Sequence, residues 1–152
     1  MSISFVCSAF ADLTPHDLYA MLRLRSEVFV VEQRCVYLDP DGLDSDALHL
    51  FGWTGDSPRA LVCGVRILAP GAVYDEAAIG RVVSAPAARG TGAGRAVMLR
   101  AIAECERRYA GRGVRIGAQR YLERFYESLG FRTVSAPYDE DGIEHVTMLR
   151  AG

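Results

Sequence analysis

One short glycine-rich segment constrains the fold of this 152-residue chain more than any other feature. Residues 89–94 read Arg-Gly-Thr-Gly-Ala-Gly and directly follow the strand-like run 79–84. An amphipathic helical pattern then continues from about residue 95 to 109. A strand, a glycine turn and a helix in this order gather free backbone N–H groups and the positive end of a helix dipole around one point. Such an arrangement binds phosphate.

Composition and charge exclude several classes of protein. The net charge is −2 and hydrophobic residues make up 50% of the chain, which argues against a nucleic-acid partner and is typical of a globular protein. No apolar run approaches the roughly 18 residues that a membrane span requires. The apolar stretch 2–11 lacks a basic flank, so we interpret it as a first strand, not a signal peptide. The length predicts a single domain, 1–152.

The four cysteines are scattered along the chain without the spacing of a metal site or a disulfide framework. We therefore expect four free or buried thiols in a reducing cytoplasm, and no bound metal. Their positions are Cys7, Cys35, Cys63 and Cys105.

Hydrophobic periodicity and turn residues predict the order of helices and strands. We expect strands at 3–10, 49–54, 60–68, 79–84, 114–118, 131–138 and 144–150, and helices at 14–30, 95–109 and 121–129. Residues 39–46 form an acidic loop. A mixed sheet covered by helices is the economical fold for this order.

Three phosphate-binding motifs compete for the glycine-rich segment. The P-loop pattern requires a lysine, and the chain contains none. The dinucleotide fingerprint requires a third glycine where Arg95 stands, and an acidic residue about 20 positions later that is also missing. The pattern that remains is R-x-x-G-x-G, from Arg89 to Gly94.

With this pattern the chain resembles the GCN5-related N-acetyltransferase (GNAT) superfamily. A second family motif, FYxxxGF, occurs at 125–131. The segments 28–33, 39–42, 117–119 and 141–145 look like the ElaA-like subgroup. The resemblance covers nearly the whole chain and implies the GNAT acyl-CoA N-acyltransferase fold, an α/β (α+β) fold whose mixed, mostly antiparallel central sheet is flanked by helices.

The resemblance also implies a co-substrate, acetyl-CoA, and the residues that bind it. Glycine turns let successive N–H groups converge on the pyrophosphate of the cofactor. The predicted cradle is Arg89, Gly90, Thr91, Gly92, Ala93, Gly94 and Arg95. The strand expected to pair with the pantetheine arm contains Val82, Val83 and Ser84.

Acetyl transfer to an amine needs a proton for the departing thiolate and a donor for the developing oxyanion. Tyr126 is the predicted acid, because a helical step of about 100° places it on a different face from Phe125 and Leu129. The family usually gives this tyrosine that role. The resemblance places the oxyanion donor at a backbone N–H near Val82, where we expect the strand to bulge.

The general base is left open by the sequence. Many family members carry a glutamate on the strand before the glycine loop, whereas this strand offers Arg81. Glu32, His49 and His145 are the candidates, acting directly or through water. Partial burial is expected to raise the pKa of Glu32; the alternative is a buried ion pair with an arginine such as Arg66 or Arg81.

The sequence contains few signals for the amine that accepts the acetyl group. Acidic residues in two loops could form a rim that attracts a cationic amine. We favour the interpretation that they are turn residues in contact with solvent. These residues are Asp39, Asp41, Asp44, Asp46, Asp139, Glu140 and Asp141.

The predicted function is transfer of acetyl from acetyl-CoA directly onto a primary amine of a small molecule or peptide. The alternative is a non-catalytic acyl-CoA-binding sensor of the same fold. A nicotinamide-dependent oxidoreductase is a further rival. We expect a cytoplasmic protein that acts without nucleic acid or membrane, and a homodimer is left open.

Overall fold

An eight-stranded sheet organises the chain in a computed structural model that describes residues 2–56 and 58–152. The strands are β1 (Ser4–Ala9), β2 (Leu48–Thr54), β3 (Ala60–Leu68), β4 (Ala77–Ser84), β5 (Val114–Gln119), β6 (Arg132–Thr133), β7 (Tyr138–Glu140) and β8 (Ile143–Arg150). The helices are α1 (Pro15–Arg25), α2 (Ala93–Arg108) and α3 (Glu123–Glu127), and a π-helix at Ser26–Glu32 continues α1. Short 3-10 turns occupy Phe10–Asp12, Asp44–Asp46, Pro86–Ala88 and Arg120–Leu122.

The strand order is β1-β2-β3-β4-β5-β8-β6, with β7 also paired to β8. The pair β4–β5 is parallel and its neighbours are antiparallel, so the predicted mixed, mostly antiparallel sheet is confirmed. A parallel pair needs a crossover, and α2 supplies it. The apolar stripe of α2, which includes Val97, Ala101 and Cys105, is buried against one face of the sheet.

Helix α1 covers the opposite face. Thr14 and Asp17 form a capping box with Pro15 in the first turn, and the helix begins where the sequence predicts it. Met21 packs with Phe51 and Trp53 of β2. The predicted helix to residue 30 is confirmed as a helical segment that extends to residue 32, although Ser26–Glu32 is π-helical, a form that is frequent at functional sites.

Two predicted elements differ from the structure. The strand expected at 131–138 is divided into β6 and β7, both paired with β8, because Pro137 lies between them and cannot donate to a ladder. The helix expected at 121–129 contracts to the five residues of α3, preceded by a 3-10 turn.

Two further features bear on the classes of protein considered above. Among the described helices none is long and apolar enough to cross a membrane. The four cysteines are free thiols, and Cys35, Cys63 and Cys105 are buried.

Candidate active site

The sheet opens between β4 and β5. The two strands pair at Ala77 with Val114 and at Ala78 with Arg115, and their ladder ends there. Past this point β4 continues to Ser84 along β3, while β5 continues to Gln119 along β8. A wedge-shaped gap therefore separates Val82–Ser84 from the end of β5, and it exposes backbone groups that a further extended segment could pair with.

The predicted bulge lies on the β4 side of this gap. Arg66 of β3 pairs with Gly80 and Gly64 pairs with Val83, so β4 carries one extra residue between these two pairs. Arg81 adopts a left-handed backbone conformation, φ 49°. A bulge leaves its extra residue outside the ladder, which frees an amide at Arg81–Val82.

The glycine-rich turn follows β4 and ends in the first turn of α2. Gly90 and Gly92 have φ values of 77° and 86°, a region that favours glycine. Gly92 is the N-cap of α2, so the N–H groups of the following residues have no acceptor within the helix. Gly94 lies against Ser84, because a Cβ at Gly94 would be 3.4 Å from the Ser84 hydroxyl. The turn and the end of β4 thus face the same gap.

Arg89 of this turn forms a two-pronged ion pair with Glu32 at the end of the π-helix, with both N–O distances 2.5 Å. Both side chains are more than 40% exposed. The expectation of a partly buried Glu32 with a raised pKa is therefore wrong: the hydrogen bonds from Arg89 lower the pKa of this carboxylate. Its partner is also neither Arg66 nor Arg81. The pair joins the predicted phosphate turn to the helical segment on the other face of the sheet.

Tyr126 is 5% exposed and belongs to the main hydrophobic core. The prediction that Phe125 faces the core and Tyr126 faces away from it is wrong. Phe125 is only half-buried, and the two rings pack edge-on in the same cluster. Helix α3 is too short and too enclosed for one of its faces to be exposed. Burial raises the pKa of the Tyr126 phenol to about 12. The end of α3 is tied to the phosphate turn, since Arg95 donates to the Ser128 hydroxyl at 3.0 Å.

The two candidate histidines lie far apart in the sheet, His49 on β2 and His145 on β8, with β3, β4 and β5 between them. His145 of β8 pairs with Gln119 at the open end of β5, and its Nδ1 is 2.7 Å from the Ile143 carbonyl. Its Nε2 lies 3.3 Å from the carboxylate of Glu140. His49 is 1% exposed, its Nε2 is 2.8 Å from the Asp44 carbonyl, and burial lowers its pKa.

The acidic loop is folded into the interior, so the interpretation of its aspartates as solvated turn residues is wrong for two of them. Asp39 is 3% exposed and Asp44 is 8% exposed. Both accept hydrogen bonds from Arg25, itself 2% exposed, at 2.8 and 2.9 Å. The carboxylates are buried because an arginine from α1 compensates their charge.

Arg66 and Arg81 complete this buried network. Arg66 binds Asp41 through both terminal nitrogens, at 2.8 and 2.9 Å. Burial opposes ionisation of Asp41, but the hydrogen bonds from Arg66 lower its pKa to about 2. Arg81 Nε lies 2.8 Å from Asp39 Oδ1, although this contact is too bent for a hydrogen bond. The sequence analysis missed the network, whose sequence signal is a loop rich in aspartates together with arginines inside otherwise apolar helix and strand segments at 25, 66 and 81.

A small pocket lies beside the bulge, between α1 and the sheet. Its polar walls are Arg25, His49, Arg66 and Arg81, and its apolar walls include Met21, Phe51, Leu61 and Val83. The pocket is lined by Arg81 and Val83 of β4, the strand that also borders the gap. A group bound in the gap and a second group bound in the pocket would therefore lie next to each other at the bulge.

A gap between parallel strands beside a bulge and a glycine-capped helix is the arrangement of an acyl-CoA N-acyltransferase fold. Residues 60–150 match the model of the acetyltransferase (GNAT) domain. A crystal structure of an acyl-CoA N-acyltransferase from Pseudomonas aeruginosa superimposes with a TM-score of 0.91 at 43% identity, covering 99% of this chain and 100% of that one. The chain therefore belongs to the GNAT acetyltransferase family.

Within the family the chain is ElaA-like. It is 41% identical to ElaA of Escherichia coli over 92% of this chain and 91% of that protein. The crystal structure of that ElaA superimposes with a TM-score of 0.90. A UPF0039 protein of Synechocystis is 44% identical over 98% of this chain and 96% of its own length. The predicted family, subgroup and fold are confirmed.

Proposed function

We propose that this protein, as a single catalytic domain of residues 1–152, transfers acetyl from acetyl-CoA to a primary amine of a small molecule or peptide. One observation carries the proposal: the glycine turn, the gap between β4 and β5 and the pocket follow one another along β4. This series matches the three parts of the reaction, which are the diphosphate, the thioester arm and the amine.

Acetyl-CoA would bind with its diphosphate at the turn from Arg89 to Arg95, including Thr91 and Ala93. Free N–H groups at the start of α2 suit an anion, and each hydrogen bond to a charged oxygen contributes roughly 1.5–3 kcal/mol. The pantetheine arm would occupy the gap as an extra extended segment along Val82, Val83 and Ser84. Its amides would replace the β5 partners that these residues lack.

The thioester carbonyl would then lie at the bulge of β4. An amide released from the ladder at Arg81–Val82 can donate to the oxygen on which negative charge develops when the amine attacks. Donors fixed in this way commonly contribute about 2.7–4 kcal/mol.

Tyr126 is the proposed acid for the departing thiolate. The phenol is protonated at neutral pH and so has a proton to give, although burial raises its pKa to about 12 and thereby makes it a weaker acid than an exposed tyrosine. The hydrogen bond from Arg95 to Ser128 supports this role, because it joins the end of α3 to the turn that we propose binds the diphosphate.

His145 is the proposed base among the three candidates, acting through water. Its Nδ1 is engaged by the Ile143 carbonyl, so the lone pair is on Nε2, which lies 3.3 Å from the exposed carboxylate of Glu140. Glu32 is held by Arg89 with a lowered pKa, which makes it a weak base. The pKa of His49 is lowered and its Nε2 is engaged by the Asp44 carbonyl.

Thiol release tests the proposal. The protein is incubated with acetyl-CoA and a panel of primary amines, and free thiol and acetylated amine are both measured. Tyr126→Phe should reduce kcat by about 100-fold to 10,000-fold, while the ring contacts with Phe125 and Phe131 are kept. Tyr109→Phe at the end of α2 is the matched control and should retain full activity.

The alternative function, an acyl-CoA-binding sensor, is favoured by one observation: β4 carries Arg81 and no carboxylate. Tight CoA binding without thiol release on any amine would support it.

Free thiols at all four cysteines support action in a reducing compartment such as the cytoplasm. A homodimer stays a prediction.

A further inference from the structure

The chain contains two glutamines and no asparagine, and the fold brings the two side-chain amides into contact. Gln119 Nε2 donates to Gln33 Oε1 at 3.3 Å, although the two residues are 86 positions apart in the chain. Both side chains are half-buried. Within residues 2–56 and 58–152, Gln33 Nε2 and Gln119 Oε1 have no hydrogen-bond partner. The pair therefore offers one free donor and one free acceptor.

The two glutamines lie at the open end of the gap between β4 and β5. Gln119 is the last residue of β5. Gln33 directly follows Glu32, the last residue of the π-helix, which is held by Arg89 beyond the end of β4. The Arg89 guanidinium also donates to the carbonyl of Ser84, the last residue of β4, at 3.4 Å. Two consecutive residues are thus tied to opposite sides of the gap, so the segment that contains them crosses it.

Further contacts hold this crossing segment in place on both sides. Val28 of the π-helix is buried against Val83 of β4. Two residues after Gln33, the thiol of Cys35 donates to the Asp141 carbonyl at 3.1 Å, in the turn between β7 and β8. The side chain of Gln33 is therefore positioned at the gap by a segment that is anchored to the strands on either side of it.

An extended arm bound in the gap has hydrogen-bonding groups along both of its edges. Groups on one edge pair with β4, and groups on the other edge point toward β5. The backbone of β5 is too distant to pair with them, because its ladder with β4 ends at Ala78 and Arg115 and the strands then separate. The side chain of Gln119 reaches from β5 to the segment that crosses the gap, so it can span a distance that the backbone cannot.

We infer that Gln33 and Gln119 bind the amide groups of the pantetheine arm, with Gln33 Nε2 donating to a carbonyl and Gln119 Oε1 accepting from an N–H. A secondary amide offers one donor and one acceptor and carries no charge, which matches what the glutamine pair leaves free. The assignment rests on the proposed binding of acetyl-CoA in the gap and adds to it two residues outside β4 and the glycine turn. The nucleotide part of CoA carries no secondary amide, so the pair acts on the arm alone.

Calorimetry with two ligands tests the inference. One ligand is CoA, and the other is adenosine 3′-phosphate 5′-diphosphate, which lacks the pantetheine arm. Methionine at either position removes the amide and keeps the length of the side chain. We expect the Kd for CoA to rise about threefold to tenfold in Gln33→Met and in Gln119→Met, and about tenfold to a hundredfold in the double variant. The Kd for the nucleotide should not change.

Glu76→Met is the matched control. Its carboxylate binds Arg115 of β5 at the closed end of the gap, on the same face of the strand as Gln119. Both Kd values should be unchanged in this variant. In the double glutamine variant both partners of one hydrogen bond become apolar, a change that costs little stability. Should the double variant nevertheless fail to fold, the two single variants decide the question.

The outcomes separate this assignment from the proposed acetylation. A selective loss of CoA affinity supports the assignment even if no amine releases thiol, a result that refutes the acetylation alone. An unchanged Kd for CoA overturns the assignment, and a raised KM for the amine would then show that the amides bind the acceptor. An equal loss of affinity for CoA and for the nucleotide also overturns it, because the pair would then be a structural tie. Absence of CoA binding to the parent protein overturns both proposals.

Discussion

Replacing Arg25 with methionine should expose how strongly the buried network holds the acidic loop in place. Arg25 is 2% exposed and donates to the carboxylates of Asp39 and Asp44, which are themselves almost fully buried. Methionine fills a similar volume but leaves both carboxylates without their main partner. The cost comes from buried charge and not from lost packing.

The magnitude follows from this geometry. Breaking a buried ion pair by removing one partner typically costs about 3–5 kcal/mol. For a chain of this size that corresponds to a fall in Tm of roughly 6–20 °C. Arg120→Met is the control, because it breaks a single ion pair in which both side chains are at least 50% exposed. Its Tm should be unchanged.

The pH dependence distinguishes buried charge from a general packing defect. In the parent protein burial opposes ionisation of Asp44, but the hydrogen bonds from Arg25 lower its pKa below 3.8. The stabilisation that ionised Asp44 gives the folded protein is present above pH 3.8 and is lost as the pH falls through the lowered pKa. In Arg25→Met burial acts with less opposition, so its carboxylates take up protons at higher pH and the variant regains stability on acidification.

Thermal and urea unfolding at about pH 7 and about pH 4 measure both effects. The stability difference between the parent protein and Arg25→Met should be largest at neutral pH and should shrink on acidification. A difference below about 1 kcal/mol, or one that is equal at both pH values, would refute the account of the network as compensated buried charge.

Three further predictions follow from the cofactor turn and the core. Glu32→Gln should leave Tm unchanged and tighten CoA binding in calorimetry, because it frees the Arg89 fork for the diphosphate; weaker binding would contradict this. Gly92→Ala should weaken CoA binding and destabilise the protein by about 1–2 kcal/mol, because Gly92 has φ 86°; an unchanged Tm in differential scanning would oppose it. Cys63 and Cys105 should resist alkylation at pH 8 until urea unfolds the chain, because burial raises their pKa values to about 11 and about 12; rapid labelling of the native protein, followed by mass spectrometry, would count against it.

The predictions that held depend on neighbours in sequence. The start of α1 after Thr14, the length of β3 and the glycine turn before α2 are each encoded within a few residues. Local backbone preferences decide such features, so pattern and turn chemistry are sufficient to find them. The bulge near Val82 was expected from the family resemblance and is present.

The predictions that failed concern burial. Helical periodicity predicts that Tyr126 faces away from the core, but a five-residue helix enclosed by strands and neighbouring rings buries more than one face. The sequence predicts a partly buried Glu32, yet the end of the π-helix lies at the surface, where Glu32 pairs with Arg89, 57 residues away in the chain. Periodicity describes one element at a time and cannot show what packs against it.

The chain by itself determined the order of its elements, the glycine turn that caps α2, and its membership of a family, since each is encoded in short runs of residues. Tertiary structure alone decided that Arg25, Arg66 and Arg81 meet the aspartates of the acidic loop. The partners in this network are 14 to 42 residues apart. Charges of opposite sign can pair in many ways along a flexible chain, and it is the sheet register that selects one of them.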